Sequence, residues 1–195
     1  MTLGPLIIVS GPSGSGKSTL IAQVVARLAP RLRHAISATT RAPRPGEEDG
    51  VHYHFWTRER FERGIAAGEF LEYATVFGCH YYGTPRLEVD PHRAAGVGVM
   101  LDIDVQGADQ IKHNCPAAVL IFLMTPDGEY ARRLRVRGKD GEEDIARRLA
   151  EARVELERAG EFDVRLLNDD LGRAADELGR LAEALLDGNL PEKTL

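Results

Sequence analysis

Eight consecutive residues, Gly11-Pro12-Ser13-Gly14-Ser15-Gly16-Lys17-Ser18, satisfy the G-x-x-x-x-G-K-[ST] pattern at every position. They stand between a short apolar run, Pro5 to Ser10, and a segment with helical apolar spacing at Leu20, Ile21, Val24, Val25 and Leu28. Three glycines let the backbone curl until its N–H groups converge on an anion beside the positive start of a helix. Lys17 supplies a mobile positive charge and Ser18 a hydroxyl suited to Mg²⁺. The bland alternative is a glycine-rich turn that contains a lysine, and the strand–loop–helix context argues against it. The residues from Gly11 to Thr19 are therefore expected to hold the phosphates of a nucleoside triphosphate.

A loop of this kind needs a strand on one side and a helix on the other, and the rest of the chain continues that alternation. Strands are expected at His34–Ala38, Val51–Trp56, Glu69–Phe77, His80–Thr84, Val97–Asp104, Ala117–Met124 and Val164–Asn168. Helices are expected from Thr57 to Gly64, from Pro126 through Leu134, over Ile145–Leu156 and over Leu171–Leu185, the last stopping at Gly188. Ala117–Met124 is apolar throughout, as a strand buried on both faces requires. The pattern predicts an α/β fold with a central parallel sheet and ligands at the carboxyl ends of its strands. Residues 41–90 read as a small inserted lobe of short strands and one helix. The core is then 1–40, 91–136 and 149–188, the charged, glycine-containing break at 137–148 is a lid, and 189–195 is a tail.

At 195 residues, one domain with insertions is the natural expectation. The net charge of −5 argues against general nucleic-acid binding. No apolar run reaches the ~18 residues that a membrane helix needs, and no charged segment followed by an apolar stretch opens the chain. Cys79 and Cys115 lack metal-binding spacing. The reading is a cytoplasmic protein with small-molecule substrates, no nucleic-acid or membrane partner, and a homo-oligomer left open.

Four further stretches narrow the function. They are Ser37-Ala38-Thr39-Thr40-Arg41-Ala42-Pro43-Arg44-Pro45-Gly46-Glu47; Phe70-Leu71-Glu72 with Tyr81-Tyr82-Gly83-Thr84; Leu101-Asp102-Ile103-Asp104-Val105-Gln106-Gly107; and Asn168-Asp169-Asp170. With the phosphate loop, they resemble the guanylate kinase family from about residue 5 to residue 187. The resemblance implies a P-loop NTPase three-layer fold with a nucleoside-monophosphate lobe and a lid. It also implies Mg²⁺-dependent transfer of the γ-phosphoryl of ATP to GMP, and to dGMP, in purine nucleotide metabolism.

Carried over residue by residue, the resemblance assigns GMP binding to Ser37, Arg41, Arg44, Tyr53, Glu72, Tyr82, Thr84 and Asp102. Glu72 suits the N1 and N2 donors of guanine and Thr84 suits its O6, with Ser37 on the base or phosphate side. Arg41, Arg44, Tyr53 and Tyr82 match a clamp on the acceptor phosphate. Lys17, Arg44, Arg137 and Arg148 are the implied catalytic charges. Asn168 and Asp169 join Gly11–Thr19 as ATP contacts, Asn168 through its backbone with a replaceable side chain. Ser18 is the implied magnesium contact, with Asp102 in support, while Asp102 and Asp104 are each either a site residue or a helix cap. The pair Cys79-His80 stands where the family usually has one residue, which leaves Tyr81 against Tyr82 open. His52 stands where an acidic residue is common. Another P-loop kinase of similar body and a non-catalytic binding module are the rival readings.

Overall fold

The computed structural model describes residues 2–76, 79–136 and 142–189. In chain order it runs β1 (Leu6–Ser10), α1 (Lys17–Leu28), β2 (Leu32–His34), β3 (Ala38–Thr39), β4 (His54–Phe55), α2 (Arg58–Ala66), β5 (Phe70–Val76) and β6 (His80–Pro85). It continues α3 (Asp90–Ala94), β7 (Gly98–Asp102), α4 (Val105–Asn114), β8 (Val119–Met124), α5 (Glu129–Val136), α6 (Glu142–Glu157), β9 (Val164–Leu167) and α7 (Leu171–Leu186).

The core is a five-stranded sheet in the order β2-β7-β1-β8-β9, parallel throughout. β1 is buried along its whole length. Side chains of a strand alternate between faces, so Ile7 and Val9 join one apolar layer while Leu6 and Ile8 join the other. On the first face, α1 brings Leu20, Ile21 and Val24 and α7 brings Leu178, Ala182 and Leu185. On the second, Ala108 and Ile111 of α4 pack with Phe122 and Phe162. Each of the larger of these side chains, fully buried, stabilises the fold by about 1.5–3 kcal/mol relative to an exposed one. Asp170 starts α7 by accepting the Arg173 N–H at 2.8 Å, and Gly188 ends it at φ 83°.

The strand expected over His34–Ala38 is two strands in two sheets. β2 ends at His34 against β7, and β3 begins at Ala38 in a second sheet of order β4-β3-β6-β5. The Ala35 N–H still donates to Met100 in the core (3.0 Å), whereas the Ser37 carbonyl already accepts from His54 in the lobe (2.9 Å). Local propensity is blind to this change of partner, and the lobe therefore begins at Ala38 rather than at residue 41. The strand expected over Val51–Trp56 contracts to the two residues of β4. The helix after Thr57 is as expected: the Thr57 hydroxyl accepts the Arg60 N–H at 3.2 Å. Phe61, fully buried, stacks between Phe70 at 4.3 Å and Tyr81 at 5.2 Å between ring centroids.

Helix α4 was foreshadowed only by a capping aspartate, and it joins lobe to core. β5 is an edge strand, whose open backbone groups α4 covers. Gln110 accepts from the Tyr73 N–H (3.2 Å) and donates to the Tyr73 carbonyl (2.9 Å), and Asn114 donates to the Leu71 carbonyl (3.0 Å). Leu71, 1% exposed, leaves the lobe to enter the second core layer. Of the expected lid, residues 137–141 lie outside the described residues and 142–148 are the first turns of α6. The tail from 190 on also lies outside them. Among the described residues, no helix is long and apolar enough to cross a membrane. Leu71→Ala should lower the unfolding free energy by about 2–5 kcal/mol in a urea titration, the range for a truncated core leucine.

Candidate active site

The phosphate loop is pinned from two sides. A Cβ on Gly11 would lie 2.2 Å from the Leu123 carbonyl oxygen, and Gly11 has φ 136°. A Cβ on Gly16, at φ 96°, would lie 2.5 Å from the Asn168 side-chain nitrogen. Both positions thus need glycine for conformation and for space. Ser15 N–H donates to the Pro12 carbonyl at 3.0 Å, which closes the turn. Lys17 Nζ rests on the Gly11 and Pro12 carbonyls (2.6 and 3.4 Å), and Ser18 Oγ donates to Asp102 Oδ2 at 3.0 Å. Asp102 lies 3.9 Å from Lys17 Nζ.

Asn168 is more than a backbone contact. Its side chain, 1% exposed, donates to the Ser15 carbonyl at 2.7 Å, and its own carbonyl accepts from Thr125 and Arg133. Beyond the expected backbone contact, the Asn168 side chain thus ties the loop to the end of β9. Gly14, Gly16, Thr19, Arg133, Asn168 and Leu171 line a small cavity on that outer side of the loop. Asp169 is exposed and paired with Arg173 on the first turn of α7. Arg133 escapes a reading of the sequence because it sits in an arginine-rich helical run, where spacing does not separate a loop contact from a solvated face.

A cleft of about 300 Å³ opens on the other side of the loop, between the core and the small sheet. Gly11, Ser13 and Lys17 form one wall; Ser37, Tyr53, Glu72 and Tyr82 form the other, with Asp102, Asp104 and Glu155 between. Glu72 and Thr84 face each other across β5 and β6, and Thr84 Oγ1 donates to Glu72 Oε1 at 2.7 Å. Glu72 is 5% exposed. Burial, reinforced by the charge of Asp104 and opposed by the Thr84 hydrogen bond, pushes its carboxyl up to about 7. Gly107 lets α4 come this close, since a Cβ there would lie 3.0 Å from Glu72 Oε2.

The structure separates the two tyrosines. Tyr82 lines the cleft and its hydroxyl accepts from Arg41 Nε at 3.1 Å. Tyr81 faces away, stacked on Phe61. Asp104 caps α4, accepting the Gly107 N–H at 2.8 Å, and also lines the cleft. Arg41 lies over the Tyr53 and Phe55 rings, 5.5 and 5.7 Å from their centroids. Arg44 is exposed at the tip of the same loop. Arg148 of α6 donates to Ser13 Oγ at 3.1 Å and so reaches the phosphate loop. Arg137 lies outside the described residues. Glu155 was not foreseen; it follows Arg148 and Ala152 at helical i, i+4, i+7 spacing, on a helix read for its apolar stripe alone.

A carboxyl held near 7 in the fold, against 4.5 ordinarily, binds its proton more tightly when folded. The stability it contributes is complete below pH 4.5 and is lost as pH rises to about 7, on the order of 3 kcal/mol in all. Glu72→Gln should therefore be more stable than the parent at pH 8, with the advantage shrinking toward pH 4.5 in paired thermal melts.

Comparison with known proteins agrees with this geometry. The guanylate kinase family model matches residues 4–185. The guanylate kinase of Vibrio parahaemolyticus is 50% identical over 176 residues, covering 89% of this chain and 84% of that protein. The guanylate kinase of Rubrobacter xylanophilus is 44% identical over 192 residues, covering 98% of this chain and 100% of that protein. The crystal structure of guanylate kinase from Anaplasma phagocytophilum superposes with a TM-score of 0.73 at 31% identity, covering 94% of this chain and 87% of that one. A whole phosphate loop, a small sheet facing it across one cleft and these likenesses lead to one conclusion: the chain belongs to the guanylate kinase family.

Proposed function

We propose that the cleft is a two-nucleotide site in which ATP, lying over Gly11–Ser18, gives its γ-phosphoryl to GMP held by the small sheet. The observation that carries this reading is the buried Glu72–Thr84 pair facing Lys17 across one cavity. Ionised Glu72 offers acceptors to the N1 and N2 donors of guanine, while adenine would turn a lone pair toward it. A mismatch of this kind at a buried charge discriminates by about 10⁴-fold. Thr84 has one proton, and it points to Glu72. The guanine O6 then falls to the Ser37 hydroxyl, which lines the same cleft.

The acceptor phosphate has a second pKa of about 6 and is already anionic at neutral pH, so no general base is needed. What remains is to bring two polyanions into line and stabilise charge in a loose transition state. Lys17 leaves its carbonyl perch for the transferring group, Arg148 approaches from α6, and Arg137 and Arg44 complete the positive surround. Closure of the lobe excludes water, which would otherwise take the phosphoryl.

The residues present fit a magnesium ion. Ser18 Oγ and the Asp102 carboxylate, 3.0 Å apart, are hard oxygen donors of the kind Mg²⁺ selects. Among the described residues, no group of three or more His, Cys, Asp or Glu side chains is placed to hold a metal. Phosphate oxygens and water would supply the other ligands. When bound, the ion would offset the negative charge of the phosphates. We place the enzyme in the cytoplasm, where its free Cys79 and Cys115 stay reduced.

An ADP-release assay across GMP, dGMP, AMP, CMP and UMP tests the reading. GMP should be the strongly preferred ribonucleotide acceptor; no turnover of GMP, or equal turnover of AMP, overturns it. In the same assay, Lys17→Ala should lower kcat by at least ~10²-fold. Glu72→Gln should raise KM for GMP far more than for AMP. Only the ionised carboxylate accepts both guanine donors, so the parent's KM for GMP should climb as pH drops below about 7. In Glu72→Gln that climb should flatten.

A further inference from the structure

The guanidinium expected to grip the acceptor phosphate is already largely occupied. Glu47 takes it bidentately, Oε2 from Nη1 at 2.8 Å and Oε1 from Nη2 at 3.0 Å. A second Nη1 hydrogen goes to the Ala42 carbonyl at 2.7 Å and Nε goes to Tyr82 at 3.1 Å. An arginine has five N–H donors. One from Nε, two from Nη1 and one from Nη2 leave a single Nη2 hydrogen for a substrate. Glu47 is held in turn by its own loop. Its Oε2 accepts the Arg44 N–H at 2.7 Å, and its N–H donates to the Arg44 carbonyl at 2.9 Å.

Two roles are chemically open to such a carboxylate. It could stand in for the phosphate and be displaced by it, or it could remain and set the geometry of the clamp. Displacement would leave a mostly buried carboxylate, 18% exposed, beside an incoming phosphate dianion. That carboxylate lies six residues from Arg41 on a proline-bounded turn, so it has little room to swing clear. Like charges at close range in a partly desolvated site repel by several kcal/mol, whereas a retained pair needs no rearrangement. The geometry favours retention.

We propose that Glu47 is the positioning residue of the acceptor-phosphate clamp. It holds Arg41 by the outer fork, and it holds the Arg44 backbone in the same grip. Arg41 then presents one hydrogen and the Tyr82 hydroxyl at fixed angles, while Arg44 carries the clamp charge that Glu47 does not neutralise through a paired fork. The inference rests on the acceptor-phosphate reading of this loop and extends it: specificity for a monophosphate comes from a prebuilt Arg–Glu–Tyr frame as much as from positive charge.

Steady-state kinetics on Glu47→Ala, Glu47→Gln, Arg41→Ala and the double variant Glu47→Ala/Arg41→Ala separate the possibilities. Glu47→Ala should raise KM for GMP at least tenfold, leave KM for ATP within about twofold and change kcat less than KM. Glu47→Gln, which retains one acceptor for Arg41 and Arg44, should recover part of the loss. The double variant should lose less than the sum of the two single losses, because much of what Glu47 does is done through Arg41. A lower KM for GMP in Glu47→Ala would make Glu47 a competitor of the phosphate and overturn the proposal. Additive losses in the double variant, or equal losses for ATP and GMP, would also overturn it. If Arg41→Ala itself leaves KM for GMP unchanged, the acceptor reading of the loop fails. If Arg41→Ala raises KM and Glu47→Ala does not, only the role of Glu47 fails.

Discussion

One hydrogen bond from the end of the last core strand ties down the phosphate loop. The Asn168 side chain reaches from the end of β9 to the Ser15 carbonyl, while Gly11 lies against the Leu123 carbonyl of β8. The loop is thereby fastened to strands far from it in sequence. A cradle of N–H groups binds anions well only if the groups are already convergent, because ordering a flexible glycine loop would cost about 1–2 kcal/mol per residue in backbone entropy. The parallel sheet serves the site by placing those strand ends side by side.

The small-sheet side of the cleft is built differently. The small sheet joins the core through Leu71 and through the Gln110 and Asn114 contacts that cover the edge of β5. A polar junction stands at the base of the lobe. Glu88, 8% exposed, accepts from Arg33 at 2.6 Å and meets His54 Nε2 at 3.0 Å, joining β2 of the core to β4 of the lobe. Apolar and polar contacts along one helix and a compact ionic joint near the crossing strands fasten the base of the lobe to the core. The cleft between them is what remains.

Recognition in that cleft works against stability. Glu72 is buried with one hydroxyl partner, and an apolar or amide side chain there would be less costly to the fold. Its desolvation also strengthens any hydrogen bond it makes to a ligand, since few waters compete. The same logic applies at the clamp, where Glu47 takes part of the charge of Arg41 and supplies order. On the proposed reading, Glu72 reads a base and Glu47 aligns a guanidinium, two carboxylates in a site for anions.

Much of this was legible in the chain itself. The phosphate loop, the parallel core and the helix capped by Thr57 follow from local rules: glycine at constrained turns, period-2 and period-3.6 apolar spacing, and a capping hydroxyl. Glu72 and Thr84 are singled out in the sequence by family resemblance, and their register across β5 and β6 brings them together. Other features depended on partners remote in sequence. The split of the stretch from Leu32 to Thr39 between two sheets, the inward turn of Tyr82 over Tyr81, and the parts of Asn168, Arg133 and Glu155 have no local signature. A side chain's identity states which bonds it can make, and short-range spacing states which neighbours it meets along one element. Only the folded chain decides which distant strand end or carbonyl stands within reach, because closing those long loops is a property of the whole core.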